Sequence, residues 1–147
     1  MIQAGKTPWH LWVVAGASFL WHMIPVSDYV GFKTKAAWYL EGAQLKPEQI
    51  AWIDAYPMWA DIGWALGVWG AMAGTLLLLA RSRHAVTAFL VSLVGLGLMS
   101  IYQVGLKSAE YQALFGTSVL GFLFVIWVVA IALFFYARAM AGRGVLR

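Results

Sequence analysis

Four apolar runs, roughly Trp9–Phe32, Pro57–Ala80, Ala85–Leu106 and Phe115–Ala137, constrain this chain more than any other feature. Each is long enough to cross a bilayer, which takes ~20 helical residues. Backbone groups in lipid must be satisfied within the segment, so runs of this length are expected as helices. A share of 63% hydrophobic and 11% charged residues, with a mean hydropathy of +0.77, lies outside the soluble range. The expected fold is all-α: an integral membrane four-helix bundle, one domain over residues 1–147, with a longer outer loop, 33–56, between the first two helices. A cleaved signal peptide is the competing reading of the first run. Trp12, Trp21 and His22 within it, and the lack of a small-x-small cleavage pattern, favour a retained helix.

Orientation follows from the basic residues, because cytoplasmic loops are enriched in them. With four spans, one side holds Lys6, Arg81, Arg83, Arg138, Arg143 and Arg147 and no acid. The opposite side carries Lys33, Lys35, Lys46 and Lys107 with all the carboxylates: Asp28, Glu41, Glu48, Asp54, Asp61 and Glu110. Both termini are therefore expected in the cytoplasm. The net charge of +4 is read as topology, with no nucleic-acid partner implied.

The connections are unequal. "RSRH" is a tight turn, "KSAEYQAL" reads as a short loop, and the long outer loop contains "LKPEQIAWIDAYP". Pro47 and Glu48 there suit the first turn of a helix. Ile50, Trp52, Ile53 and Tyr56 would give it an apolar side, as an interfacial helix or as a cap over the bundle.

The second run carries four glycines that would weaken an isolated helix. At about 100° per residue, Ala60, Gly63, Gly67, Gly70 and Gly74 fall within about 80° of one another, a stripe of small residues with GxxxG spacing. Ala88, Ser92 and Gly95 form a matching stripe on the third run. Packing of these two spans is the first reading and a homodimer seam the second.

Asp61 lies off that stripe. Counting ~1.5 Å per residue places it near the depth of Asp28, Tyr102 and Gln103, with His22 closer to the centre. These five residues form a candidate polar binding layer. Pro25 leaves the carbonyl of Trp21 without its helical partner, and a kink beside His22 would suit the wall of a small outward-facing cavity. In the alternative reading Asp28 is an interfacial anchor, His22 bonds a neighbouring helix and Tyr102 belongs to the aromatic belt. Of the nine tryptophans, Trp21, Trp64, Trp69 and Trp127 lie deep, for bulky packing or for stacking on a solute.

Several chemistries are disfavoured. Without cysteine there is no disulfide, thiolate or cysteine-ligated metal. His10 and His22 sit about 120° apart on the wheel, so they cannot grip one haem iron together. No phosphate loop, HExxH or GxSxG motif occurs, so no enzyme, metal or cofactor is expected.

The stretch "YPMWADIGWALGVWGAMAGTLLLLARSRHAVTAFLVSLVGL", followed by "YARAMAGRGVLR", resembles small four-helix bacterial inner-membrane proteins often labelled sugar transporters. The likeness spans nearly the whole chain and is closest over residues 56 to 103. In that group an asparagine often stands at the place of His22 and Asp61 is not a fixed feature, so the likeness assigns neither a role. It implies a bacterial inner-membrane carrier of a small polar solute, working as an oligomer. The runner-up is a non-catalytic accessory subunit of a larger, bioenergetic membrane complex, docked through its glycine stripe and aromatic surface.

Overall fold

A computed structural model describes residues 6–147, and no strand occurs among the described residues. The helices are α1 (Trp9–Lys33), α2 (Ala37–Ala43), α3 (Pro47–Asp54), α4 (Met58–Leu79), α5 (His84–Ser100), α6 (Ser108–Phe115) and α7 (Ser118–Gly142). A π-helical segment, Ile101–Leu106, prolongs α5. Three helices are long and apolar enough to cross a membrane: α4, α5 with its π continuation, and α7. The 25-residue α1 matches α7 in length, but His10, Ser18, His22, Pro25 and Asp28 dilute its apolar run.

Two connections differ from the sequence reading. The connection over 33–56 holds a second short helix, α2, besides the one starting at Pro47. "KSAEYQAL" is not an open loop but the bulk of α6, with Glu110 in its first turn. Phe115 closes α6, and Gly116, at φ 83, turns the chain into α7. The fourth apolar helix therefore starts at Ser118 and continues to Gly142.

Three of the long helices end in the same way. After α4 the Ser82 N–H donates to the Leu77 carbonyl at 2.8 Å and the Arg81 N–H to Leu78 at 3.0 Å, with Arg81 at φ 58. This paired closure uses carbonyls that the last helical turn leaves free. Lys35 after α1 and Gly144 after α7 take the same left-handed conformation. The tail then folds back: Arg147 N–H donates to the Arg81 carbonyl at 2.7 Å, and Arg83 N–H to the Arg147 carbonyl at 2.9 Å. Val145 and Leu146 are thereby buried with Leu11, Ala15, Leu78, Ala85, Phe89, Leu133, Ala137 and Met140. This core fills the end of the molecule that bears the basic turn.

The tightest seam is between α4 and α5. A Cβ on Gly95 would lie 2.6 Å from the Gly63 carbonyl oxygen, and one on Gly70 would lie 2.9 Å from the Ser92 nitrogen. Any side chain there would force the backbones apart. The Ser92 hydroxyl uses the closeness to donate to the Gly67 carbonyl at 2.7 Å. Gly74 lies against the ring of Phe89. The stripe of Gly63, Gly67, Gly70 and Gly74 thus packs on Ser92 and Gly95 within one chain.

Beyond that seam, α1 packs along α4 and α7 along α5, whereas α1 and α7 have no comparable contact with each other. They touch at the basic end, where His10 Nδ1 and the Tyr136 hydroxyl are 2.6 Å apart, and again where Trp21 approaches Phe122 with ring centroids 6.4 Å apart. Four long helices therefore surround a space that is sealed at the basic end and loosely closed along one side.

Candidate functional site

That space is a cavity of about 390 Å³. Small-molecule sites usually fall between ~300 and 1,000 Å³. Its wall draws on every long helix: Trp21, His22, Pro25 and Asp28 from α1, Trp64, Gly67 and Val68 from α4, Ser92 and Leu96 from α5, and Phe122, Leu123 and Ile126 from α7. The short helices supply the far end, through Tyr39 of α2, Ile53 of α3, Tyr111 and Phe115 of α6, and Tyr56 just before α4. Most of the surface is apolar, and much of the polar character gathers under the short helices.

Pro25 lies in mid-α1, where the ring cannot donate to the carbonyl of Trp21. Both residues face the cavity. One turn earlier, His22 is 6% exposed, and its Nδ1 lies 3.0 Å from the Thr75 hydroxyl of α4. Thr75 is fully buried, so this bond satisfies a hydroxyl that would otherwise be stranded between the helices.

Asp28 lies one turn past Pro25, accessible to solvent at the cavity mouth. Tyr39 of α2 lies beside it, and burial first, then the carboxylate's charge, pushes the Tyr39 phenol up to about 12. The side chain of Tyr39 can lie there only because residue 31 is glycine: a Cβ would meet the Cβ of Tyr39 at 2.6 Å and its ring carbon Cδ2 at 2.8 Å.

Gln103 reaches the cavity from the π segment. The wider turn, with Lys107 N–H bonded to the Tyr102 carbonyl at 3.0 Å, buries both Tyr102 and Gln103. Single π turns inside helices are frequent at functional positions. The Gln103 amide donates to the Tyr56 hydroxyl at 3.0 Å. The Tyr56 phenol is pushed up chiefly by its burial, with the Gln103 bond acting in the opposite direction.

Of the five polar residues singled out in the sequence, His22, Asp28 and Gln103 line this one cavity. Tyr102 instead enters an aromatic cluster beside it, 5.8 Å from Trp52, 5.0 Å from Tyr56 and 5.9 Å from Trp59 between ring centroids. Asp61 sits outside the cavity wall and takes the ammonium of Lys33, so it joins the start of α4 to the end of α1. Its place in the first turn of α4 also sets its charge against the positive end of the helix dipole.

Tyr39, Tyr56 and Tyr111 were not anticipated as wall residues. The roof they belong to is held by Trp52, stacked on Tyr111 at 5.6 Å with its indole N–H donating to Glu110 at 3.2 Å, and by Gln49, which donates to the Leu114 carbonyl at 2.8 Å. A signal existed in the aromatic residues that recur through 38–56 and 111–115. Nothing in the spacing indicated that the two segments meet.

Among the described residues, no group of His, Asp and Glu is arranged to hold a metal ion. No protein family, no curated protein and no solved structure matches the chain.

Proposed function

We propose that this chain is a four-helix bundle in a bacterial inner membrane, with α1 as the fourth span and both termini in the cytoplasm, and that it carries a small solute through its central cavity. The observation that carries the reading is the cavity itself: His22, Asp28 and Gln103, from two different helices, converge on a volume suited to one small molecule. Exposed apolar side chains around the bundle, among them Leu20, Met58, Val94 and Phe124, suit a lipid surround. The resemblance of residues 56 to 103 to proteins labelled sugar transporters points the same way.

The mostly apolar wall favours a solute with one polar and one apolar side over a uniformly hydroxylated one. Four helices are few for alternating access, so the working unit is a homo-oligomer. Uptake into proteoliposomes, screened over sugars and other small polar solutes, is the test. Saturable flux of any of these solutes, absent from vesicles without the protein, supports the carrier.

A second reading, a non-catalytic accessory subunit, is favoured by α7, whose most apolar window is only 6% buried within the chain. Gentle extraction and sizing distinguish the two. A stable hetero-complex with no flux for any solute replaces the carrier by the subunit.

A further inference from the structure

The charge of the cavity wall is one-sided. Asp28 is its carboxylate, and no lysine or arginine contributes to it. The two lysines that follow in sequence are paired with other carboxylates, Lys33 with Asp61 and Lys35 with both oxygens of Asp54 at 2.7 and 2.9 Å, and their ammonium groups lie over two rings of the wall, Trp64 at 5.4 Å and Phe32 at 3.8 Å. Asp28 makes no ion pair among the described residues. The neutral phenol of Tyr39 lies beside it on the cavity wall, and an ionised carboxylate has acceptor positions for more than one donor.

The same wall presents aromatic rings that no lysine among the described residues covers, namely Trp21, Tyr39 and Tyr56. Ring faces attract organic cations and reject anions, by ~0.5–2 kcal/mol each, and most strongly where water is thin. An ionisable group within a membrane helix is a functional position by default, and among the described residues this one has no cationic partner. The apolar remainder, toward Leu96 and Ile126, suits a hydrocarbon body and not a second polar group.

We infer that the cavity binds an organic cation with an apolar body, its charge set against Asp28 and its body among the rings and aliphatic side chains below. This rests on the reading of the cavity as a solute site and names the class of solute. A sugar would leave the carboxylate uncompensated, and a fatty acid or other anion would be repelled by it.

The test uses two probes of nearly the same shape and opposite charge, tetraphenylphosphonium and tetraphenylborate, with the full chain in nanodiscs of neutral lipid and tryptophan quenching as readout. Trp21 and Trp64 both line the cavity, so an occupant changes their emission. Saturable quenching by the cation only, weakened at least about tenfold in Asp28→Asn and retained in Asp28→Glu and in Asp61→Asn, supports the inference. Equal binding of both ions, or cation binding indifferent to Asp28→Asn, overturns it. The comparison of the two ions needs no variant, so it decides even if Asp28→Asn does not fold. Cation binding without flux would remove the carrier and keep the site. Flux of neutral solutes with no cation binding would keep the carrier and remove this assignment.

Discussion

The hydroxyl of Ser92 donates to the carbonyl oxygen of Gly67 across 2.7 Å, so the closest approach of α4 and α5 is held by a hydrogen bond as well as permitted by missing side chains. Small residues at such a crossing supply contact that lipid cannot replace. Gly95→Ala should separate the helices and cost roughly 1–3 kcal/mol, as overpacked interiors do. Gly67→Ala meets its nearest neighbour, the Leu96 nitrogen, at an ordinary 3.5 Å, and it gains up to about 1 kcal/mol in helix propensity. Unfolding in detergent should therefore rank Gly95→Ala well below Gly67→Ala. Equal losses would mean that the seam relaxes freely.

Asp61→Asn should have little effect. The carboxylate and the Lys33 ammonium are 37% and 36% exposed, and exposed pairs contribute ~0–1 kcal/mol. Melting should shift by no more than that, and any solute flux should continue unchanged. Loss of flux in this variant would return Asp61 to the transport path.

The placement of Asp61 shows what a sequence can convey about this molecule. Depth along a helix is legible, because residue count converts directly to distance, and Asp61 does lie at the start of its helix. The partner is not legible, since Lys33 is on another helix and only the packing angle of α1 on α4 brings the two together. The glycine stripe could be read because its periodicity is local and both halves of the seam carry it. The π segment could not: Tyr102 and Gln103 turn inward through a shift in hydrogen-bond register that no residue type encodes. Helix α2 was equally hidden. It spans only seven residues, has no buried residue, and its cap makes no side-chain bond, so tertiary contact from Tyr39 to Gly31 must hold it.

Gln103→Leu should destabilise the roof. Tyr56 loses its hydrogen-bond donor at a half-buried position, and such a loss costs roughly 1–2 kcal/mol. Gln103→Glu keeps the shape and can still accept a bond from the phenol, so it should recover part of the loss. Chemical unfolding of the three proteins provides the comparison. An unaffected Leu variant would show that the bond contributes nothing.

The contact between α3 and α6 should weaken in acid. The Lys107 hydrogen bond first, and the Trp52 hydrogen bond second, hold the Glu110 carboxyl below its ordinary range. A depressed folded value means that the stabilisation is fully present above the unfolded value and is lost as the pH falls through the folded one. Lys107, raised chiefly by the same hydrogen bond, adds the mirror effect: its contribution holds below its unfolded value and disappears as the pH climbs through the folded one. Melting followed against pH should thus show a stability difference between the native chain and Glu110→Gln that shrinks in strong acid. A constant difference would remove the pair from the account.

Membrane orientation can be tested cleanly because the chain has no cysteine of its own. Single cysteines at Ser82 and at Lys46 should differ in reaction with an impermeant maleimide applied to intact cells, with position 46 labelled and position 82 protected. The reverse pattern would invert the proposed topology.

The clasp between Arg147 and the basic turn also sets an order of assembly. During synthesis α4 and α5 can pair as soon as both have left the ribosome, since the hairpin needs only the tight turn between them. The carbonyl of Arg81 and the amide of Arg83 must then wait, hydrated, until Arg147 has been made, and Leu78, Ala85 and Phe89 wait with them for Val145 and Leu146. The end of the bundle bearing the basic turn therefore closes later than the α4–α5 hairpin, and a nascent chain halted after α5 still has that end open.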